Sequence, residues 1–300
     1  MKASQHSISL TFLTAFLLIA TGSRVYAQFR PFDNSRTLAP WIYNPSASFS
    51  DEVQVYLGYD GRGSNSLTPQ TLIGGLRVPL LYRGRDRRRP AAMVGLQYLK
   101  SMQDIINSSV VDGNFAYEVP LSKRVRAALG IGGGISTLRY NFGNLNYLDN
   151  NDPLIGSGIN FFNIHLNSGL SVVLDDKFTI SVSHPYLLKE NKLNLREVIA
   201  RMAYRAPVTK ELAIRVGANL DTYNRNMIVG GDLRADWKQS FSVMAGADNF
   251  KFYSGLSVSM DYLTIGYTYG YNYSKLFSNF ANNQVMVLIS APQRNGTMRR

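Results

Sequence analysis

Large apolar or aromatic residues recur at every second position over much of the chain. In Leu263-Thr-Ile265-Gly-Tyr267-Thr-Tyr269-Gly-Tyr271 they fill one face, and Thr264, Gly266, Thr268 and Gly270 fill the other. That is period two, a strand with unlike faces. The same alternation sets Leu212, Ile214, Val216, Ala218 and Leu220 against Arg215, Gly217, Asn219 and Asp221, and Phe178, Ile180 and Val182 against Thr179, Ser181 and Ser183. The wet face of a soluble sandwich carries many Lys and Glu, whereas this second face is mostly Gly, Ser, Thr and Asn. The pattern predicts about fourteen strands. They lie near Val53–Asp60, Thr71–Leu81, Ala91–Lys100, Val111–Pro120, Val125–Tyr140, Ile159–Leu174, Phe178–His184, Glu197–Ala206, Leu212–Tyr223, Met227–Trp237, Ser240–Asp248, Phe252–Met260, Leu263–Tyr271 and Gln284–Ser290.

The links between these strands sort by length. Short turns at Leu121–Arg124, Asp175–Lys177, Pro207–Glu211, Lys238–Gln239 and Asp261–Tyr262 fall on one side of an up-and-down array. The longer links Asn141–Gly158, Pro185–Arg196 and Asn272–Asn283 fall on the other. Outer-membrane barrels have this asymmetry, with tight periplasmic turns, an even strand count and no free edge. The fold expected is therefore all-β: a transmembrane antiparallel up-and-down β-barrel of about 14 strands with an irregular N-terminal segment. Parity puts both termini in the periplasm. A lumen of this size, between those of eight-stranded barrels and 16-stranded porins, needs a plug or a cargo. The segment Gln28–Asp51 has no strand pattern and is either a plug, with Pro31, Pro40, Trp41, Asn44 and Pro45 as its candidate residues, or a loose periplasmic tail.

Composition narrows the classes. A hydrophobic fraction of 45% excludes wholesale disorder, and the absence of cysteine excludes a disulfide scaffold, a thiolate metal site and a cysteine nucleophile. Charged residues are 17% of the chain, with Lys+Arg 32 against Asp+Glu 20 and a net charge of +12; soluble domains carry about 25%. At the N-terminus, Lys2, the apolar run Ile8–Ala20 and Val25-Tyr26-Ala27 read as an export signal cleaved near Ala27. This predicts a signal peptide over 1–27, a periplasmic or plug segment over 28–51, an outer-membrane barrel over 52–291 and a tail over 292–300.

The candidate chemistry is sparse, and neither a catalytic residue, a cofactor site nor a metal site is expected. A hydrolase would need a Ser/His/acid group, but His165 lies on the small-polar face with Asn163 and Asn167 while His184 continues the Phe178–Val182 face, so their side chains diverge. The run Gly130-Ile-Gly132-Gly133-Gly134 lacks the following helix of a dinucleotide loop and suits strong curvature or close contact with a plug. The most distinctive run is Tyr82-Arg83-Gly84-Arg85-Asp86-Arg87-Arg88-Arg89-Pro90. Arg83, Arg85, Arg87, Arg88 and Arg89 form a candidate periplasmic docking patch for an acidic protein surface or lipid phosphate, or else a solvated turn; nucleic acid is not an expected partner there. Tyr140, Tyr223, Trp237, Tyr262 and Tyr271 near strand ends fit interfacial girdles next to outer-membrane lipid.

Several stretches carry a family resemblance. Asn44-Pro45-Ser46-Ala47 is similar to an asparagine-proline-alanine element, and Val172–Leu188, with its Asp-Asp-Lys turn and Ser183-His184-Pro185-Tyr186-Leu187-Leu188, to a characteristic strand pair. Leu263–Tyr271 followed by Ser274 and Leu276, and then Gln284–Leu288, are similar to the last two strands. On these residues the chain resembles the PorP/SprF outer-membrane proteins of the type IX secretion system of gliding and secreting Bacteroidetes. It departs from them in running past Ser290 without a terminal aromatic residue. The resemblance implies a non-enzymatic subunit that helps export or anchor a surface adhesin or other cargo. Its implied partners are other secretion components, a periplasmic ring or peptidoglycan-associated protein. An outer-membrane channel or transporter for small or hydrophobic solutes is the alternative.

Overall fold

In a strand with one apolar and one small-polar face, both faces are satisfied only if the sheet curls into a tube with lipid outside. The computed structural model has this form. It describes residues 40–47, 52–62, 70–81, 91–103, 106–140, 159–189, 192–193, 197–223, 226–238, 240–272 and 281–292. The strands are β1 (Glu52–Arg62), β2 (Gln70–Leu81), β3 (Ala91–Gln103), β4 (Ile106–Pro120), β5 (Val125–Tyr140), β6 (Ile159–Leu174), β7 (Phe178–Lys189), β8 (Lys192–Leu193), β9 (Val198–Pro207), β10 (Leu212–Tyr223), β11 (Asn226–Trp237), β12 (Phe241–Asp248), β13 (Lys251–Met260), β14 (Leu263–Asn272) and β15 (Ala281–Pro292). Each wall strand pairs antiparallel with the next, and β1 pairs with β15 to close the ring. The two-residue β8 pairs with the end of β7 on the edge that β9 takes lower down, so β8 and β9 share one stave of a 14-stave barrel.

Alternation becomes a sidedness that the exposures make plain. Leu129 is 65% exposed, Ile131 64%, Phe162 61% and Leu57 60%, while Asp60, Thr71, Arg77, Glu118, His165 and Gln284 on the opposite faces are buried. A continuous apolar belt of this extent is unstable in water and stable in lipid. Several strands outrun the alternation that predicted them. β4 starts at Ile106 with Asn107-Ser-Ser109, and β15 at Ala281 with Asn282 and Asn283. Backbone pairing continues there beyond the apolar belt, where nothing requires unlike faces.

The turns follow from local chemistry. Asp175 and Asp176 both have positive φ, 51° and 58°, and Lys177 N–H donates to the Leu174 carbonyl at 2.9 Å. This is the two-residue turn whose twist matches a hairpin, and Asp tolerates its left-handed backbone. Links 121–124 and 208–211 repeat one motif: Ser122 accepts from Val125 N–H at 3.0 Å, and Thr209 accepts from Leu212 N–H at 2.9 Å. Both register shifts in the wall coincide with proline, at Pro79 in β2 and beside Pro185 in β7, because proline donates no ladder hydrogen bond.

Candidate functional site

The site is built on the eight residues Pro40–Ala47, ahead of the first strand. Pro40 starts a 3-10 turn over Pro40–Ile42, which Tyr43 and Asn44 close by donating to the Pro40 carbonyl at 3.4 and 3.2 Å. Asn44 then folds the chain back on itself: its Oδ1 accepts from Ser46 N–H at 3.0 Å and from Ser46 Oγ at 2.7 Å. A proline fixed in φ followed by an Asx turn gives a compact knot that needs no strand neighbour.

The wall receives this knot in two ways. Trp41 and Ile42 are buried with Tyr56, Ile73 and Met286, and Leu99 and Leu288 pack against them. The Trp41 and Tyr56 rings meet edge to face, 5.8 Å apart at 72°. Burying one tryptophan is worth roughly 4–6 kcal/mol before ordering costs. Beside it, Arg77 is fully buried, with its guanidinium 5.3 Å from the Trp41 ring centre. It donates to the Ala47 carbonyl at 2.6 Å and the Pro45 carbonyl at 3.0 Å. Charge-assisted bonds of this kind hold backbone more strongly than neutral ones.

The polar contacts continue around β3–β6. Gln97 donates to the Ile42 carbonyl at 3.3 Å and to Asp112 Oδ2 at 2.9 Å, and accepts from Tyr56 O–H at 3.2 Å. Asp112 in turn holds His165 Nε2 at 2.5 Å. Ser171 Oγ lies 2.7 Å from Ser46 Oγ and accepts from Asn44 Nδ2 at 3.4 Å. Two wall glycines give the knot room: a β-carbon at Gly130 would lie 2.5 Å from the Pro45 carbonyl carbon, and one at Gly169 would overlap Asn44 Oδ1.

Of the residues singled out in the sequence, Pro40, Trp41, Asn44 and Pro45 are therefore gathered against the lumenal wall. Pro31 and the arginines Arg83, Arg85, Arg87, Arg88 and Arg89 lie outside the described residues. His165 faces the lumen and His184, opposite Ser168, faces outward, so the two do not meet. Among the described residues no group of three or more His, Asp or Glu could hold a metal ion. Sequence reasoning missed Arg77, Gln97, Asp112, Ser171 and Gly169. Arg77 was the most legible of these, as a lone charge on the inner face of an otherwise apolar strand.

The family model described as "Type IX secretion system membrane protein PorP/SprF" matches residues 38–290, which takes in both the knot and the closing strand. The chain belongs to the PorP/SprF family. It is accordingly a barrel subunit of the type IX secretion system in the outer membrane. No curated protein matches the sequence. Among solved structures, the CymD monoaromatic hydrocarbon channel aligns with a TM-score of 0.52 at 11% identity, covering 89% of this chain and 94% of its own. The Ralstonia pickettii toluene transporter TbuX aligns at 0.54 and 10% identity, covering 84% and 92%. The Pseudomonas putida toluene transporter TodX aligns at 0.50 and 8% identity, covering 89% and 94%. At these identities the chain shares with them the barrel fold alone.

Proposed function

We propose that the chain is a non-enzymatic accessory barrel that helps export or anchor a surface adhesin or other cargo and couples it to periplasmic machinery, with its own N-terminal segment as plug. The observation that carries this reading is Arg77, buried in the wall and spending two hydrogen bonds on the backbone of Pro45 and Ala47. A barrel that fastens its own chain inside its lumen suits holding a macromolecule better than passing solutes. The short-turn rim faces the periplasm, as in other outer-membrane barrels. Arg83, Arg85, Arg87, Arg88 and Arg89, in the link between β2 and β3, then lie on that side and dock a secretion component.

The shared fold with a hydrocarbon channel makes solute transport the second reading. Conductance in planar bilayers separates the two. The intact barrel is expected to be silent and a variant lacking residues 40–47 to conduct; equal conductance by both would overturn the plug. Replacing the five arginines with serine is expected to leave the barrel inserted and heat-modifiable while a periplasmic partner no longer co-purifies. Retained co-purification would overturn the docking role.

A further inference from the structure

A row of arginines crosses the lumenal wall near the short-turn rim. Arg205 on β9 sits directly opposite Arg215 on β10, which sits directly opposite Arg234 on β11. Like charges directly opposite one another destabilise a sheet, so three in a row call for an anion. Arg234 has one, its Nε bonding Asp236 Oδ1 at 2.5 Å.

The other two arginines line a cavity of about 240 Å³ between this wall and the knot, bounded there by Pro40, Ser46 and Ala47. Its charged lining is five cations, Arg126, Lys177, Arg201, Arg205 and Arg215, against the carboxylates of Glu118 and Asp176. Arg126 bonds both carboxylates, and Arg201 bonds Asp232 at 3.0 Å. Among the described residues neither Arg205 nor Arg215 has an ion pair, and the hydroxyls of Thr179 and Ser181 also line the space.

We infer that this cavity is a binding site for carboxylate side chains of an acidic peptide segment entering from the short-turn mouth. Planar guanidinium groups pair bidentately with carboxylates, and the hydroxyls supply further donors. The space holds about eight waters' volume, enough for one or two acidic side chains. Lipid headgroups are excluded by position, because these arginines face the lumen and not the apolar belt. That the segment belongs to a periplasmic partner rests on the orientation proposed above; the binding itself does not.

The test uses the full chain in detergent micelles and a fluorescein-labelled hexaglutamate peptide, with binding read by polarisation. The double variant Arg205→Gln/Arg215→Gln is expected to weaken binding about tenfold or more. Arg205→Gln alone, at an exposed position, is expected to weaken it about threefold, which keeps the test valid if the double variant folds poorly. The control Lys123→Gln/Lys210→Gln removes equal charge from the same rim outside the cavity and is expected to change binding less than twofold. Equal losses in variant and control would overturn the site, as would no measurable binding by the intact chain. Displacement of the peptide by inorganic phosphate at equal charge concentration would reduce it to a general anion site and overturn the acidic-peptide assignment. Conductance of the same preparations reads the plug separately, so the two proposals fail independently.

Discussion

The two sides of the lumen are built on opposite principles. From β1 to β6 the wall fits itself to a segment of its own chain: apolar side chains take Trp41 and Ile42, one buried arginine takes two carbonyls, and two glycines yield their volume. From β9 to β11 the wall carries arginines of which, among the described residues, Arg205 and Arg215 have no ion pair, and a cavity lies between Arg205 and Arg215 and the knot. The first side is matched in shape and charge to the segment it holds. On the second side Arg205, Arg215 and Arg234 stand directly opposite one another, an arrangement that costs sheet stability. A surface fitted to its own chain holds that chain, and a surface with arginines set directly opposite one another is suited to receiving an anion.

Substitutions sharpen this contrast in a definite order. Trp41→Ala is expected to weaken seating of the knot by about 3–5 kcal/mol, read as faster chymotrypsin cleavage after Tyr43. Arg77→Met removes two charge-assisted bonds and strands two carbonyls, with an expected loss of about 3 kcal/mol by the same assay. Gly130→Ala drives a methyl into the Pro45–Ser46 backbone and is expected to cost about 1–3 kcal/mol. Across the lumen, Arg215→Gln is expected to leave urea stability within about 0.5 kcal/mol of the parent or slightly higher, since it relieves repulsion from two neighbours. A large loss of stability from Arg215→Gln would erase the distinction between the two sides.

The fold was legible because lipid makes every strand declare its sidedness. Val125–Tyr140, Ile159–Leu174 and Leu212–Tyr223 match β5, β6 and β10 to the residue. Legibility failed where that demand lapses. The polar start of β4, the far end of β7 beyond Pro185 and the two-residue β8 extend the wall by backbone pairing, and no alternation in the sequence marks them. The links Leu121–Arg124 and Pro207–Glu211 were legible as short turns, but that Pro120-Leu-Ser-Lys-Arg-Val125 and Pro207-Val-Thr-Lys-Glu-Leu212 repeat one motif emerges only from their shared hydroxyl geometry. The lumenal site was half legible. Pro40, Trp41, Asn44 and Pro45 stood out as a non-strand cluster, while Gln97, Asp112 and Ser171 were individually ordinary polar residues on inner faces. What distinguishes them is register, which sets Asp112 and His165 both opposite Gly134, and Ser171 opposite Ala128. Register of that kind emerges from the whole ring and from no single strand.

The seam between β1 and β15 has a kinetic consequence. Glu52 stands opposite Pro292, so the ring cannot close until the last strand is in hand. The contacts that hold the knot at Pro40–Ala47 come from strands β1–β6 and β15, so both ends of the ring meet on it. Closing so distant a pair is slow. Met286 of the closing strand packs in the same cluster as Trp41, so the contact that completes the ring also completes the seat of the knot.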